Sequence, residues 1–159
     1  MIKLEYINTM PYEYYPDRRG AKYKIGSKFK NSGELCESIA KHHRGLDYLV
    51  NPSTSYDEGS DIESEGASVK SSGATLACLY GETLDEIIET YFAKAASTKW
   101  IYVVRVDEII TEYHMNAKEF GEFIKAFCRL DRESGKVEKK VRFRDTSAKT
   151  IAWLEQRVA

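Results

Sequence analysis

The stretch WIYVVRV at residues 100–106 decides the fold that this sequence predicts. It is a nearly continuous apolar run of strand length, which is typical of a strand buried on both faces of a sheet. Such a strand needs neighbouring strands at its sides and helices over its faces. We therefore expect an α/β protein in which this run lies at the centre of the sheet.

Further strand patterns lie before and after this run. At the N-terminus Ile2, Leu4 and Tyr6 alternate with Lys3 and Glu5, as expected for a strand with one buried face. Two short segments on either side of a Ser-Glu-Gly turn are expected to pair as a tight hairpin. Besides 100–106, strands are predicted at residues 1–7, 48–50, 61–63, 67–71 (the last two forming the hairpin), 75–79, 109–114 and 137–144.

Helices are predicted where a capping residue precedes an amphipathic pattern. Asn116 and Glu119 have the spacing of a capping box, and Met115 and Phe120 have that of a hydrophobic staple. A first helix is expected to end at Gly45, because glycine accommodates the left-handed conformation that closes a helix. The predicted helices are residues 31–45, about 84–96, 116 onward and 147–157.

The order of these elements predicts one α/β domain over residues 1–159, with a mixed central sheet flanked by helices. Residues 1–32 are expected to form a basic, tyrosine-rich N-terminal segment and residues 33–159 the core. A chain of this length can bury a hydrophobic core without disulfides.

The cysteines and the absence of long apolar runs suggest a compartment. Cys36, Cys78 and Cys128 are odd in number and widely spaced, so they fit neither a disulfide framework nor a zinc site. The sequence has no apolar run of about 20 residues and no signal-peptide pattern. We therefore expect a cytoplasmic protein with reduced thiols and no membrane partner.

The distribution of charge is more informative than the net charge of −1. Residues 17–30 and 136–144 are rich in lysine and arginine, whereas residues 46–69 contain several acids and no basic residue. Cations for a phosphate backbone beside carboxylates for a metal ion suit an enzyme that cleaves phosphodiester bonds, although a solvated charged surface gives the same pattern. The tyrosines of the N-terminal segment could stack on bases, cover the core or form a dimer interface. The candidate DNA-binding residues are Arg18, Arg19, Lys22, Lys24, Lys140 and Arg142.

The candidate catalytic residues lie in the acidic stretch and at the lysine that closes it. In the predicted hairpin, Asp61 and Lys70 meet across the strand pairing. Hydrolysis of a phosphodiester needs a divalent ion that neutralises the phosphate and delivers a water. The carboxylate of Asp61 is a hard oxygen ligand that suits Mg²⁺, and the ammonium of Lys70 would polarise the water or stabilise the phosphate. The three histidines have no nucleophile motif beside them and are expected to play no catalytic part.

This segment resembles the PD-(D/E)xK nuclease superfamily, which includes type II restriction enzymes and Holliday-junction resolvases. The similarity covers about residues 31–106. It comprises a helix that carries a Glu and ends at Gly45, then Ser60-Asp61-Ile62, then Ser68-Val69-Lys70-Ser71. The resemblance implies a restriction-endonuclease-like α/β/α core.

The resemblance also implies roles for individual residues. Asp61 corresponds to the first acid of the motif and Lys70 to its lysine. The acid of the leading helix corresponds to Glu34, or alternatively to Glu37. The chain departs from the common pattern at Ser68, where the family usually has a second acid. Ser68 is expected to share a strand face with Lys70, because side chains two apart point the same way.

A subset of restriction enzymes also has Ser-Val-Lys at this place and takes the missing carboxylate from a following helix. The corresponding candidates here are Glu86 and Glu82, and Glu63 or Glu65 of the hairpin are alternatives to them as partners of Asp61. Helix caps and turns use the same residue types, so a purely structural role is an alternative for each of these acids.

The sequence therefore predicts a metal-dependent endodeoxyribonuclease of the restriction type, using Mg²⁺ with Mn²⁺ as a substitute. A homodimer is expected, because it would place one site on each DNA strand. A Holliday-junction resolvase or a repair nuclease would use the same core. The alternative from another class is a catalytically degenerate nucleic-acid-binding or interaction protein of the same fold, which Ser68 favours and the presence of Asp61 and Lys70 disfavours.

Overall fold

The structure is a computed structural model that describes eight segments of the chain. These segments are residues 1–10, 14–16, 22–24, 32–47, 61–71, 85–86, 98–127 and 148–158. For residues 14–16, 22–24, 32 and 34 the description covers the backbone alone.

The strands of these segments form two sheets. They are β1 (Ile2–Ile7), β2 (Tyr14–Pro16), β3 (Lys22–Lys24), β4 (Ala67–Ser71), β5 (Lys99–Val106) and β6 (Ile109–Asn116). Four of them form a mixed sheet in the order β1–β6–β5–β4, in which only the β4–β5 pair is parallel. β2 and β3 form a separate antiparallel ribbon. The apolar run at 100–106 is thus an inner strand, as predicted.

Helices cover both faces of the four-stranded sheet. The described helices are α1 (Ser32–His43), α2 (Ala117–Phe127), α3 (Ala148–Glu155) and a short 3-10 helix (Glu63–Glu65). α1 packs on one face, and α2 and α3 pack on the other. This arrangement confirms an α/β fold with a mixed sheet flanked by helices. No described helix is long and apolar enough to cross a membrane.

The sheet face toward α1 carries an aliphatic core. Val69 of β4 and Ile101 and Val103 of β5 point to this face and belong to one buried cluster with Leu35 and Ile39 of α1. Burial of an aliphatic side chain contributes about 1.5–3 kcal/mol relative to exposure. This cluster therefore holds α1 against β4, the strand that carries the Ser-Val-Lys segment.

The opposite face carries an aromatic core. Trp100 of β5 stacks on Phe120 of α2 with ring centroids 4.4 Å apart and an interplanar angle of 8°. Tyr102 meets Phe123 of α2 at 5.0 Å, and Leu154 of α3 is buried in the same cluster. Because both faces of β5 are buried, its sequence is apolar throughout rather than alternating.

The junction between β6 and α2 forms as its sequence predicts. The side chain of Asn116 accepts a hydrogen bond from the Glu119 backbone N–H at 2.8 Å, and the Glu119 carboxylate accepts one from the Asn116 N–H at 3.1 Å. Met115 and Phe120 are both buried in the aromatic core. The capping box and the staple are therefore confirmed.

The predicted hairpin is wrong in its first half. Residues 61–63 do not form a strand, since Glu63–Glu65 wind into a 3-10 turn and only Ile62 pairs with Ala67, in a single antiparallel bridge. β4 forms its ladder of hydrogen bonds with β5, and at its other edge the Val69 N–H donates to the Asp61 side chain instead of to a backbone carbonyl. Gly66, with a φ of 60°, closes the turn at once.

Several predictions lie outside the described residues. They are the strands at 48–50, 75–79 and 137–144 and most of the helix at 84–96. Within that last range, Asp85 and Glu86 have the expected helical backbone. The first and final predicted helices are present as α1 and α3.

Candidate functional site

Asp61 lies beside the Ser-Val-Lys segment of β4. The bridge between Ile62 and Ala67 consists of two backbone hydrogen bonds of 3.0 and 3.1 Å, and it brings the preceding residue alongside β4. The Asp61 carboxylate accepts a hydrogen bond from the Val69 backbone N–H at 2.8 Å. The carboxylate is therefore fixed next to the residue that precedes Lys70.

Ser68 and Lys70 share one face of β4. Their register partners on β5 are Trp100 and Tyr102, which belong to the aromatic face. Both side chains are half-buried, whereas Val69 between them is buried on the α1 face. The prediction that Ser68 and Lys70 point the same way is confirmed.

The acids of α1 lie on the face of the sheet opposite to the one that carries Ser68 and Lys70. Glu37 lies on α1, which packs on the Val69 face, and its carboxylate accepts a hydrogen bond from Lys41 Nζ at 2.9 Å. Glu34 lies within α1, and its side chain is outside the described atoms. A ligand role for either acid stays a prediction.

The structure describes some of the acids proposed as the second metal ligand. Glu86 is helical and exposed. Its neighbour Asp85 forms an ion pair with Lys125 of α2 at 2.9 Å. This helical turn therefore lies on the α2 side of the sheet, to which Lys70 also points. Glu82 lies outside the described residues, and Glu63 is exposed on the 3-10 turn.

A complete metal centre is not present among these groups. Within the described segments, no three His, Cys, Asp or Glu side chains are arranged to hold a metal ion. Among the described residues, Asp61 is the predicted ligand whose carboxylate is bound to β4, through the Val69 N–H. The predicted DNA-binding residues Arg18, Arg19, Lys140 and Arg142 lie outside the described segments, and Lys22 and Lys24 are described as backbone of β3.

A buried ionic cluster that was not predicted from the sequence lies on the α1 face. We call it the Glu112 cluster; its members are Tyr6, Arg44, Glu65, Lys99, Glu112 and His114. Glu112 lies on β6 and its side chain is wholly buried. Its carboxylate accepts hydrogen bonds from the Tyr6 hydroxyl at 2.5 Å and from His114 Nε2 at 2.8 Å. Tyr6 in turn stacks on His43 of α1 with ring centroids 3.6 Å apart.

Arg44 is the centre of this cluster. Its two terminal nitrogens bind both carboxylate oxygens of Glu112, at 2.9 and 2.6 Å, and its Nε donates to Glu65. It also donates to the Ala40 carbonyl at 2.9 Å. Glu65 receives a second ion pair from Lys99 at 2.8 Å. A planar guanidinium with five donors can serve all of these acceptors at once, which an ammonium cannot.

The cluster sets the ionisation of its members. Burial by itself raises the pKa of Glu112. Hydrogen bonds from Arg44, His114 and Tyr6 together outweigh burial and lower this pKa to about 2. Burial and the bond to Glu112 raise the pKa of Tyr6 well above its ordinary value. Glu112 is therefore a permanent carboxylate at neutral pH, and its phenol partner stays protonated.

The Glu112 cluster also anchors the 3-10 turn that precedes β4. Glu65 ends the 3-10 turn that begins two residues after Asp61, and Gly66 after it leads directly into β4. By binding Glu65, Arg44 and Lys99 tie this turn to α1 and to β5. Glu65, which was a candidate metal ligand, is thus occupied as a structural anchor on the face away from Lys70.

The sequence held a weak signal for this cluster. Glu112 interrupts a strand whose other residues on the same face include the buried Ile110, so an acid at that position needs a buried partner. Nothing in the sequence identifies Arg44, which lies 68 positions away, as that partner.

Comparison of this chain with protein families, with curated proteins and with solved structures gives no match.

Proposed function

We propose that this protein is a Mg²⁺-dependent endodeoxyribonuclease of the restriction type, built on a restriction-endonuclease-like α/β/α core. The observation that carries the proposal is the Asp61 carboxylate, which accepts a hydrogen bond at 2.8 Å from the N–H of Val69, the residue before Lys70. An acid and a lysine at one sheet edge, with helices on both faces of the sheet, suit this chemistry.

The chemistry assigns one task to each residue. Asp61 would be the first metal ligand, because a carboxylate is a preferred ligand of Mg²⁺. A further carboxylate would come from Glu86, on the same side of the sheet, or from Glu82. Bound Mg²⁺ would neutralise the scissile phosphate and activate a water. The Lys70 ammonium would stabilise the negative charge that develops on the phosphate.

The remaining elements of the proposal concern partners and place. The substrate is DNA, bound by the basic segments 17–30 and 136–144, whose cations would contact phosphates. Two copies of the chain would act as a homodimer, one on each strand. We place the enzyme in the cytoplasm, where its cysteines would stay reduced.

The test is nicking of supercoiled plasmid by the purified protein with Mg²⁺, with Mn²⁺ and with EDTA. Asp61→Asn keeps an acceptor for the Val69 N–H but removes the ligand charge, so it should abolish cleavage while the free energy of unfolding stays near that of the wild type. Asp61→Ala removes the ligand charge and the acceptor for the Val69 N–H, so it should lose both cleavage and part of the free energy of unfolding. Lys70→Met should also abolish cleavage. Cleavage by Asp61→Asn at the wild-type rate would refute the assignment.

The second acid needs an experiment of its own. If Glu86 supplies it, Glu86→Ala should inactivate the enzyme as fully as Asp61→Asn, and Ser68→Glu in that variant should restore part of the cleavage. Glu82→Ala is the matched comparison. If neither glutamate is required, the relocated-acid idea is wrong and Glu63 becomes the candidate.

A second function is favoured by Ser68, which stands where the nuclease motif usually has its second acid. In this alternative the protein binds nucleic acid or another protein without cleaving. A wild type that binds DNA but never cleaves it, while Ser68→Glu does, would establish the alternative.

A further inference from the structure

β1 is the outermost strand of the described four-stranded sheet. It pairs with β6 along one edge, and the β2–β3 ribbon forms a sheet of its own. The other edge of a terminal strand presents a row of backbone N–H and C=O groups that a further strand can bind. β1 has six residues in regular register with β6 and contains no proline; of the features that protect sheet edges, its own residues supply the charges of Lys3 and Glu5.

Two large aliphatic side chains of β1 are exposed. Ile2 is 69% exposed and Ile7 is 68% exposed. They lie at opposite ends of β1 and on opposite faces of the sheet, so each is a separate apolar side chain that a further strand along this edge would cover.

The faces of β1 are set by its register with β6. Leu4 lies opposite Glu112 and therefore points to the α1 face, together with Ile2 and Tyr6. Lys3 and Glu5 point to the other face. A two-fold axis perpendicular to the sheet joins two such edges antiparallel with like faces together. Each residue then meets a residue of its own face.

Several registers of the β1–β1 pair place like faces together, and the charges of Lys3 and Glu5 favour one of them. Centring the pairing on Leu4 places Lys3 opposite Glu5 of the partner subunit, and the symmetry repeats this attractive pair. Centring it on Glu5 would set two glutamates against each other, and centring it on Lys3 would do the same with two lysines. In the Leu4 register, Leu4 meets its own copy and the exposed Ile2 meets Tyr6 of the partner subunit.

We propose that a second copy of this chain binds the edge of β1 opposite β6 in this register and joins two four-stranded sheets into one eight-stranded sheet through an antiparallel β1–β1 pair. The backbone edges supply affinity, as in other strand additions, and the two Lys3–Glu5 pairs supply specificity. This interface does not depend on the proposed nuclease activity, and its test measures no cleavage.

The experiment is sedimentation equilibrium of the full chain and of three charge variants. Lys3→Glu and Glu5→Lys each replace two attractive pairs by two repulsive ones, so each should raise the dimer dissociation constant about tenfold or more. The double variant with both changes reverses every pair and should return to the dissociation constant of the wild type.

Two controls separate the interface from effects within one chain. Lys3 also forms an ion pair with Glu155 at 2.8 Å. Glu155→Gln removes that ion pair, while its amide oxygen can still accept the hydrogen bond from the Tyr113 hydroxyl, and should leave the dissociation constant unchanged. Leu4→Cys should form a disulfide-linked dimer on mild oxidation, because directly opposed residues have Cβ atoms about 4.5–5.5 Å apart.

A monomeric wild type at concentrations of about 0.1 mM, which is far above the micromolar constant of a weak specific complex, would overturn the proposal. So would single charge variants that dimerise as the wild type does, or a double variant that fails to recover although it is folded. Recovery of the dimer by the double variant supports both the surface and the register.

Discussion

At the scale of single residues, the dominant feature is a carboxylate kept ionised inside the protein. Glu112 is wholly buried, and removal of a carboxylate from water is costly unless its partners satisfy it. Arg44, Tyr6 and His114 provide those partners. Removal of one of these side chains should therefore lower the free energy of unfolding by more than one hydrogen bond contributes, because its former partners stay buried without a hydrogen-bond partner.

We expect Glu112→Gln to lower the free energy of unfolding at pH 7 by about 3 kcal/mol, the cost of breaking a buried pair. The folded-state pKa is lowered from 4.5 to about 2, so this stabilisation is complete above the unfolded-state pKa and is lost as the pH falls toward 2. The difference between variant and wild type should shrink by more than half by about pH 3.

Urea unfolding at several pH values measures this difference. The matched control is Glu63→Gln, which changes an exposed glutamate of the 3-10 turn and should be close to neutral. A Glu112→Gln penalty that stayed constant between pH 7 and pH 3 would show that folding does not lower the pKa of Glu112.

At the scale of elements, the structure shows two kinds of junction. The start of α2 is specified locally, by two hydrogen bonds between Asn116 and Glu119. The 3-10 turn before β4 is specified at a distance, because Arg44 and Lys99 hold Glu65. These two junctions should respond differently to mutation.

Asn116→Ala removes the acceptor for the Glu119 N–H and should lower the free energy of unfolding by about 1 kcal/mol, as loss of an N-cap does. Glu122→Ala, on the exposed side of the same helix, should have almost no effect. Thermal and urea unfolding compare the two variants, and equal effects would contradict the capping role.

Arg44→Lys keeps the charge but cannot bind Glu112 with two nitrogens and Glu65 with a third. We expect the free energy of local opening of the turn at Gly66 to fall by about 1.5 kcal/mol, which raises the amide exchange rate about tenfold. Hydrogen–deuterium exchange should show this change at the Gly66 and Ala67 amides. The amides of α2 serve as the internal reference and should keep their rates.

At the scale of the whole molecule, the question is whether a chain of net charge −1 binds DNA through its basic segments. Changing Arg18, Arg19 and Lys22 together to Ala should flatten the salt dependence of DNA binding. The log–log slope should fall by about 0.9 for each phosphate contact that is lost.

A second triple variant provides the control for net charge. Changing Lys118, Lys125 and Lys149 to Ala removes the same number of cations from α2 and α3 and should leave the slope as it is. If both triple variants flatten the slope equally, binding follows net charge and the N-terminal segment has no special part.

The sequence by itself determined what depends on neighbouring residues and on apolar patterns. The central position of β5, the cap of α2, the end of α1 near Gly45 and the shared face of Ser68 and Lys70 all follow from period and spacing, and all are present. Strand and helix periodicity act within a few residues, so they can be seen in one segment alone.

The tertiary structure alone decided which distant groups meet. It paired Arg44 with Glu112 across 68 positions, replaced a predicted strand by the 3-10 turn and assigned Glu65 to an ion pair rather than to the candidate site. It also placed Asp61 beside Val69 through one backbone bond. A buried charge needs a partner, but many residues of opposite charge can serve, and only the packing of α1 against the sheet selects among them.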